Sequence, residues 1–353
     1  MTTITDVAKR ARVSVATVSA TINNTKYVSP ELKNRVTAAI RELGYAPDAI
    51  ARSLKKGRTS LIGLILPDIT NPFFTGFVRH VERDARKQGY SVLLCDTDED
   101  FEAERAYLRL MRTYRAEGVI LLPNGRPEQY REAEFERYDI PVVMVDRTIP
   151  AMQSDHVVLN NRGAALQATN YLLDLGHRRL AMMAGPDYLT NARDRTEGFR
   201  EALVARGLTF DPAQVRYGNF HEDESFEACK ALLSQPKPPT GLFVAGNQML
   251  IGVMRAVAAL QLSCPKDVSI AAIDDFPWAN AFTPRLTTVR QPIAEFGANA
   301  VRLLLNRITQ GQSTPYARLA LEPSLIVRDS CAPIGSGARA KDQVPSRARA
   351  KSA

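Results

Sequence analysis

The stretch DVAKRARVSVATVSATIN, residues 6–23, decides the fold of the N-terminal part of this chain. Thr5 and Ser14 are residue types that cap helix N-termini, so we expect one helix to begin near each of them. The apolar residues of both segments recur at helical spacing and should face each other: Val7, Ala8, Ala11, Val18 and Ile22. The stretch predicts two short helices joined by a tight turn.

A third helix is predicted after this pair. Ser29-Pro30 places a capping residue before a proline at the first helical position, and Gly44 and Pro47 end the segment ELKNRVTAAIREL. Residues 47–60 are basic and carry few large apolar side chains, so they should form a hinge that is helical only when supported. We therefore predict a three-helix domain over 1–46 and a hinge over 47–60.

From residue 61 onward, short apolar runs alternate with amphipathic helices. Continuous apolar strands separated by helices indicate parallel sheets covered on both faces. The strand–helix cycle occurs about four times before residue 160 and about four times after it, which predicts two doubly wound halves with a cleft over 61–332. The predicted helices cover 73–88, 101–115, 163–175, 194–206, 223–233, 248–260 and 293–309. Residues 333–353 lack periodicity and should form a disordered basic tail.

Composition sets further bounds on function. The chain has 353 residues and a net charge of +8, and residues 1–58 hold eleven Lys/Arg against four Asp/Glu. This basic head on a slightly acidic body favours contact with a polyanion. No apolar run is long enough to span a bilayer, and the N-terminus lacks a secretory signal, which favours the cytoplasm and no membrane partner. The cysteine and histidine spacings match neither a disulfide framework nor a metal site, and no cofactor or enzyme motif is found.

The second predicted helix is shaped to enter a groove of double-stranded DNA. In a helix-turn-helix, the N-terminal residues of the second helix lie at the base edges of the major groove. Small side chains let the helix sit deep, hydroxyls can meet phosphates, and methyl groups can pack on thymine. The candidates on this helix are Ser14, Val15, Ala16, Thr17, Ser19, Ala20 and Asn23. A small helical domain that binds a protein is the alternative.

Polar residues placed directly after strands are the candidates for a small-ligand site. In two-lobed α/β folds, ligands bind in the crevice at the carboxyl ends of the strands. Carboxylates, amides and arginines beside aromatic rings suit a polyhydroxylated ligand, because hydroxyls need both donors and acceptors. The candidates are Asp68, Asn71, Phe73, Phe74, Asp146, Arg147, Asn191, Arg193, Arg195, Asn247, Asp274 and Trp278. Trp278 could equally fill its own loop, and Arg193 or Arg195 could pair with Asp194.

The ordered set DVAxxAxVSxxTVS, ELGYxPxxxARSL, NPFF, RxxGF and PxLTTVxQP strongly resembles the lactose-repressor (LacI/GalR) family of bacterial transcription regulators, over residues 3 to about 330. The resemblance implies a helix-turn-helix head and a two-lobed core like that of periplasmic binding proteins. It also implies a homodimer on a near-palindromic operator. In relatives the ARSL segment becomes helical on DNA, so Leu54 should wedge into the minor groove with Lys55 beside it. Lys26 matches a base-contacting position in some relatives, although a phosphate contact is the simpler role.

Three departures from the family pattern bear on specificity. Many relatives have arginine where this chain has Ala20, so its operator should differ from theirs. Purine-binding relatives have arginine where this chain has Leu189, which argues against a purine effector. Many relatives have an Asn-Asp pair where this chain has Gly246-Asn247. A sugar is the default effector, and a sugar acid or phosphate is an alternative because the arginines could meet an anion. The tail has no leucine heptad, so we expect a dimer.

These observations predict an allosteric DNA-binding repressor located at the nucleoid. A two-lobed solute-binding protein without operator binding is the alternative, against which the basic head and the absent signal count.

Overall fold

The computed structural model describes residues 2–45, 58–132, 140–150, 152–311 and 314–335. The chain divides into two compact units, Met1–Ser60 and Leu61–Ala353. Leu54 and Lys55 lie outside the described residues, as do most of the predicted hinge and residues 336–353 of the predicted tail. None of the helices in the described ranges is both long and apolar enough to cross a membrane.

The first unit contains three helices, α1 (Ile4–Ala11), α2 (Val15–Asn23) and α3 (Pro30–Glu42). Their shared core consists of Val7, Ala8, Ala11, Val18, Val36 and Ala39, with Ile22 packed against it. Ser14 and Ser29 cap α2 and α3 as expected. The first helix begins earlier than predicted, because Thr3 rather than Thr5 forms a reciprocal capping box with Asp6.

The second unit alternates strands with helices. Its strands are β1 (Leu61–Leu66), β2 (Ser91–Asp96), β3 (Gly118–Leu121), β4 (Val142–Val145), β5 (Asp155–Leu159), β6 (Leu180–Ala184), β7 (Val215–Tyr217), β8 (Gly241–Val244), β9 (Ser269–Ile273), β10 (Thr287–Arg290), β11 (Arg318–Leu321) and β12 (Ser324–Ile326). Its helices are α4 (Pro72–Lys87), α5 (Phe101–Thr113), α6 (Pro127–Glu132), α7 (Asn161–Asp174), α8 (Thr190–Ala205), α9 (Glu222–Leu233), α10 (Asn247–Ala259) and α11 (Ile293–Gln310). Short 3₁₀ turns cover Pro212–Gln214 and Pro277–Asn280.

The strands form two six-stranded sheets with matching order. The first lobe has the order β11-β5-β4-β3-β1-β2, and the second lobe has β12-β10-β9-β8-β6-β7. Neighbouring strands pair in parallel, except for the antiparallel β10 and β12. The prediction of two doubly wound, largely parallel sheets is therefore confirmed.

The chain does not complete one lobe before it starts the other. Helix α7 follows β5 of the first lobe but packs on α8 and on strands of the second lobe. Helix α11 follows β10 of the second lobe but packs on α4, β3, β4 and β5 of the first. The chain crosses again between β11 and β12, and Asn160 at the first crossing donates to Glu322 at the last (3.0 Å). The predicted division at residue 160 was too simple, because hydrophobic periodicity does not show which sheet a helix covers.

Four strands and one helix were not predicted: β7, β10, β11, β12 and α6. Edge strands β11 and β12 are short and have no fully apolar run, and β10 reads TTVR although its threonines are buried. Their few apolar side chains join the core, but these are too few to form a pattern that the sequence shows. All four cysteines are free, and burial raises their pKa values.

Candidate functional site

The exposed side of α2 carries most of the predicted DNA-contacting residues. The Ser14 hydroxyl accepts from the Thr17 amide (3.1 Å) and lies 2.9 Å from the Thr17 hydroxyl. Ser14, Ala16 and Asn23 are exposed, Val15 is 42% exposed, and Thr17 and Ser19 are partly exposed. An uncharged surface of small side chains and hydroxyls therefore lies along one side of the helix.

The structure differs from the sequence prediction at Ala20. Ala20 is only 8% exposed, so its methyl group is not presented at the surface as predicted. The Asn23 amide donates to the backbone and hydroxyl oxygens of Ser19, which fixes its orientation. The following loop carries the exposed Lys26 and the 89%-exposed Tyr27, which the sequence reasoning did not select.

A cavity of about 200 Å³ lies at the carboxyl ends of the strands of both lobes. Ten of the twelve predicted ligand residues line it: Asp68, Asn71, Phe73, Phe74, Asp146, Arg147, Asn191, Arg195, Asn247 and Asp274. Nine further lining residues were not selected from the sequence: Thr70, Asp96, Asp98, Glu99, Phe220, His221, Gly246, Gln248 and Gln291. Asp96 ends the apolar strand β2, so the same rule could have found it, whereas Gln291 follows β10, which the sequence did not predict.

Arg193 and Trp278 do not line this cavity. Arg193 is exposed, because it lies two residues before the buried Arg195 and points away from it on α8. The Trp278 ring packs on Phe276 at 3.5 Å and on Phe282 at 5.3 Å between centroids. Trp278 thus fills its own loop, the alternative that the sequence left open.

Asp146 and Asp274 occupy matching places in the two lobes. Asp146 follows β4 and Asp274 follows β9, and both have left-handed backbone, with φ of 64° and 79°. This conformation is uncommon for residues other than glycine, although aspartate tolerates it better than most. It turns each carboxylate from the strand end into the cavity. Burial raises the pKa of both carboxyl groups above the ordinary aspartate value.

Arg195 supplies positive charge to both carboxylates. Its guanidinium donates to Asn161 (2.8 Å) and to the Ala245 carbonyl (2.7 Å). Burial lowers the Arg195 pKa, and the attraction of Asp146 and Asp274 opposes that shift. Arg195 therefore compensates the two acids while its own hydrogen bonds go to fixed protein atoms.

Two amide side chains join the lobes across the cavity. Asn191 of the second lobe donates to Asp146 of the first (2.9 Å), and Asn247 donates to Asn71 (2.8 Å). Asn71 also caps α4 by accepting from the Phe73 amide (3.0 Å). The relative position of the lobes is thus set partly by the same polar groups that line the cavity.

Arg147 is engaged by Glu99 at one side of the cavity. Its two terminal nitrogens donate to the two carboxylate oxygens at 2.7 and 2.8 Å. The Arg147 side chain is 4% exposed, and its guanidinium lies 5.7 Å from the centre of the Phe220 ring. Glu99 is 27% exposed, but separating this bidentate pair would leave the buried Arg147 charge without its closest carboxylate, so the pair is rigid.

Aromatic rings cover the apolar sides of the cavity. Phe73 and Phe74 pack edge to face at 5.2 Å, and both are buried. Phe220 has a φ of 63°, which is strained for a bulky residue. A Cβ atom at Gly185 would lie 2.2 Å from the Phe220 ring, so glycine is needed there for the ring to reach the cavity.

Three buried polar atoms of the lining have no hydrogen-bond partner within the described part of the chain. They are Asp146 Oδ1, Arg147 Nε and Gln291 Oε1. Two of these atoms accept hydrogen bonds and one donates. Within the same ranges, no group of three or more His, Cys, Asp or Glu side chains is placed to hold a metal ion. The arrangement can bind a molecule that offers several neutral hydroxyl groups.

Comparison with known proteins bears on both sites. The family described as bacterial regulatory proteins, lacI family, matches residues 3–48, and a periplasmic binding protein-like domain matches residues 169–331. The ribose operon repressor of Halalkalibacterium halodurans is 39% identical over 94% of this chain and 97% of its own length.

Solved structures show the same architecture. A lac repressor dimer bound to operator and the anti-inducer ONPF superposes with a TM-score of 0.83 at 26% identity, covering 94% of this chain and 99% of the other. A LacI family regulator from Enterococcus faecium with bound ribose has a TM-score of 0.69 at 28% identity, covering 78% of this chain and 99% of the other. This chain belongs to the lacI family of bacterial regulatory proteins, and it is a DNA-binding repressor controlled by a small-molecule effector rather than an enzyme.

Proposed function

We propose that the effector of this repressor is a neutral monosaccharide, and specifically a pentose such as D-ribose. The observation that carries this proposal is the set of buried, unpartnered atoms in the cavity. Ligand hydroxyls could donate to Asp146 Oδ1 and Gln291 Oε1 and accept from Arg147 Nε. The cavity volume of about 200 Å³ lies below the roughly 300–1,000 Å³ of sites for drug-sized ligands, in keeping with a single sugar ring.

The charge of the cavity supports a neutral ligand over a sugar acid or sugar phosphate. Six carboxylate residues line it against the guanidinium groups of Arg147 and Arg195. Arg147 is paired with Glu99, and Arg195 donates to Asn161 and Ala245. An added anion would therefore face surplus negative charge. The names of the similar ribose operon repressor and of the ribose-bound structure point to the same sugar class.

Calorimetric titration of the full-length protein with D-ribose, D-ribonate and D-ribose 5-phosphate tests this proposal. We expect D-ribose to bind at least 100-fold more tightly than either anion. Equal or tighter binding of an anion would contradict the neutral-ligand proposal, and absence of D-ribose binding would contradict the pentose assignment.

We further propose that the protein acts in the cytoplasm as a homodimer on a near-palindromic operator. The residues that would contact DNA are the exposed ones of α2, with Lys26 from the loop and Leu54 and Lys55 from the hinge. The division into a head (1–46), a hinge (47–60), a two-lobed core (61–332) and a tail (333–353) belongs to this proposal. A ligand that binds one arrangement of the lobes more tightly than another would change operator affinity by that difference.

A gel-shift titration against a palindromic operator, with and without D-ribose, tests the coupling. We expect D-ribose to change operator affinity and D-ribose 5-phosphate to leave it unchanged. Sedimentation of the free protein tests the dimer, which a monomer or a tetramer would contradict.

A further inference from the structure

A second chamber lies beside the ligand cavity. It has a volume of about 500 Å³ and is open to solvent, and we call it the outer chamber. Its lining residues are Glu99, Arg126, Pro186, Asp187, Tyr188, Tyr217, Asn219, His221 and Glu224. Glu99 and His221 also line the ligand cavity, so the two spaces are neighbours.

The Glu99–Arg147 ion pair lies at the boundary of the two spaces, because Arg147 lines the ligand cavity and Glu99 lines both. We call this pair the partition. Besides its two bonds to Glu99, Arg147 Nη1 approaches Asn124 Oδ1 at 3.4 Å and the Pro123 carbonyl at 3.5 Å. Because the pair is held from several sides and Arg147 is buried, the partition does not move aside without exposing an unpaired charge.

The outer chamber has the chemistry of a site for a second ring. The Arg126 guanidinium lies 4.3 Å above the Tyr188 ring, which leaves that cation engaged. Glu224 accepts from Asn219 at 2.7 Å, so the polar wall is preorganised. Tyr188 and Tyr217 offer aromatic surface, and Tyr217 is 49% exposed. Carboxylates outnumber the single arginine in the lining, which favours a neutral group over an anionic one.

We propose that the Glu99–Arg147 pair is a size filter: it confines the effector to one sugar ring by closing the ligand cavity off from the outer chamber. Without the pair, the combined space would accept a neutral sugar that carries a second ring, either an aryl group or another sugar. This inference rests on the proposed neutral-sugar effector and adds the residues that limit its length.

The test compares D-ribose with derivatives that carry one O-benzyl group at O1, O2, O3 or O5. Binding to the full-length protein is measured by calorimetry for the wild type and for a Glu99→Ala/Arg147→Ala double variant. Removing both charges leaves neither of them buried without its partner. Asp174→Ala/Arg206→Ala is the matched control, because it removes an exposed ion pair (2.6 Å) elsewhere in the protein.

We expect every benzyl derivative to bind the wild type and the control at least 100-fold more weakly than D-ribose. In the double variant, this ratio should fall at least tenfold for the derivative whose benzyl group points through the opened partition. The proposal is overturned if the wild type binds a derivative as tightly as D-ribose. It is equally overturned if all four ratios stay unchanged in the double variant.

A second variant covers the case in which the double variant does not fold. Glu99→Ala removes only the member of the pair that lines both spaces, and Arg147 keeps a neighbouring carboxylate in Asp146 (3.8 Å). It should change the ratio in the same direction, and an unchanged ratio in a folded Glu99→Ala protein would overturn the proposal. If the wild type does not bind D-ribose, the proposed pentose is wrong. The partition is then judged with the neutral sugar that does bind and with its benzyl derivatives.

Discussion

Asp146 and Asp274 are equivalent residues of the two lobes, related by the shared strand order of the two sheets. The Asp146 amide donates to the Val157 carbonyl of β5, and the Asp274 amide donates to the Val289 carbonyl of β10, both at 3.0 Å. Each carboxylate accepts from one amide side chain: Asn191 for Asp146 (2.9 Å) and Gln291 for Asp274 (2.5 Å). Both also interact with Arg195, which lies between them in the charge network.

Asp274→Asn should weaken D-ribose binding and stabilise the free protein. The variant replaces a charged acceptor with a neutral one, and hydrogen bonds to charged groups contribute about 1.5–3 kcal/mol, which corresponds to roughly 10–100-fold in Kd. Burial raises the Asp274 pKa, so the ionised carboxylate costs stability at neutral pH, and the neutral amide removes that cost. Asparagine also tolerates the left-handed backbone.

Calorimetry and thermal unfolding at pH 7.5 measure the two effects. Asp174→Asn, at an exposed aspartate of α7, is the control and should change neither. Unchanged D-ribose affinity in Asp274→Asn would show that this carboxylate does not contact the ligand.

The two aspartates also show what the sequence can predict about the site. Each follows an apolar strand, and the rule that ligands bind at strand ends selects them without a structure. Glu99, Phe220 and His221 lie in loops, where no periodicity ties them to a strand end, so their place in the cavity depends on the fold of the loop. The Glu99–Arg147 pair joins residues 48 positions apart, a contact that a sequence pattern does not specify.

Ala20 illustrates a different limit. Helical periodicity places a residue on a face, but it does not give the surroundings of that face. The same periodicity correctly placed Val18 in the core of the head, because Val18 is covered by neighbours that are themselves periodic. In the core domain, the strands were predicted where they are wholly apolar and missed where only one or two apolar side chains join the core.

Asn247→Ala should loosen the contact between the lobes without unfolding either lobe. The variant removes the hydrogen bond to Asn71 but leaves Asn71 free to cap α4. Asn71→Ala removes both interactions, so it should lower stability by a further ~1 kcal/mol, the usual contribution of a helix N-cap. Asn71→Asp keeps an acceptor for both bonds and serves as the matched control.

Thermal unfolding and D-ribose titration of the three variants check this prediction. We expect Asn247→Ala to bind D-ribose more weakly than the wild type, with a small change in unfolding midpoint. Asn71→Ala should have both a lower D-ribose affinity and a lower unfolding midpoint than the wild type. Equal stability of Asn71→Ala and Asn71→Asp would show that the cap contributes nothing.

Lys26→Ala should weaken operator binding to the same degree for every operator sequence. We expect Lys26 to contact a phosphate, because its exposed ammonium lies in the loop after α2, beyond the helix itself. Loss of one phosphate contact reduces the slope of log K against log salt by about 0.9.

Gel shifts at several salt concentrations, with an operator and its single-base variants, provide the measurement. Lys237→Ala removes the same charge from the exposed surface of the second unit and should leave the slope unchanged. If Lys26→Ala instead relaxed the preference at one base pair and kept the slope, Lys26 would read a base.

Glu104→Gln should remove a pH dependence of stability that originates beneath the cavity. Glu104 is fully buried, its Oε2 accepts from the Asn124 amide (2.8 Å), and burial raises its pKa from 4.5 to about 7. Below pH 4.5 both the folded and the unfolded chain hold the proton, so this group gives no slope. Between about pH 4.5 and 7 the unfolded chain loses the proton first, so stability falls as pH rises through this window.

The glutamine variant cannot ionise and should therefore be more stable than the wild type by roughly 1–3 kcal/mol at pH 8 and similar to it at pH 4.5. Urea unfolding at a series of pH values measures this difference, and Glu128→Gln, at an exposed glutamate, should show none. Equal stability of the wild type and Glu104→Gln at both pH 4.5 and pH 8 would show that the ionised Glu104 carboxylate does not cost stability.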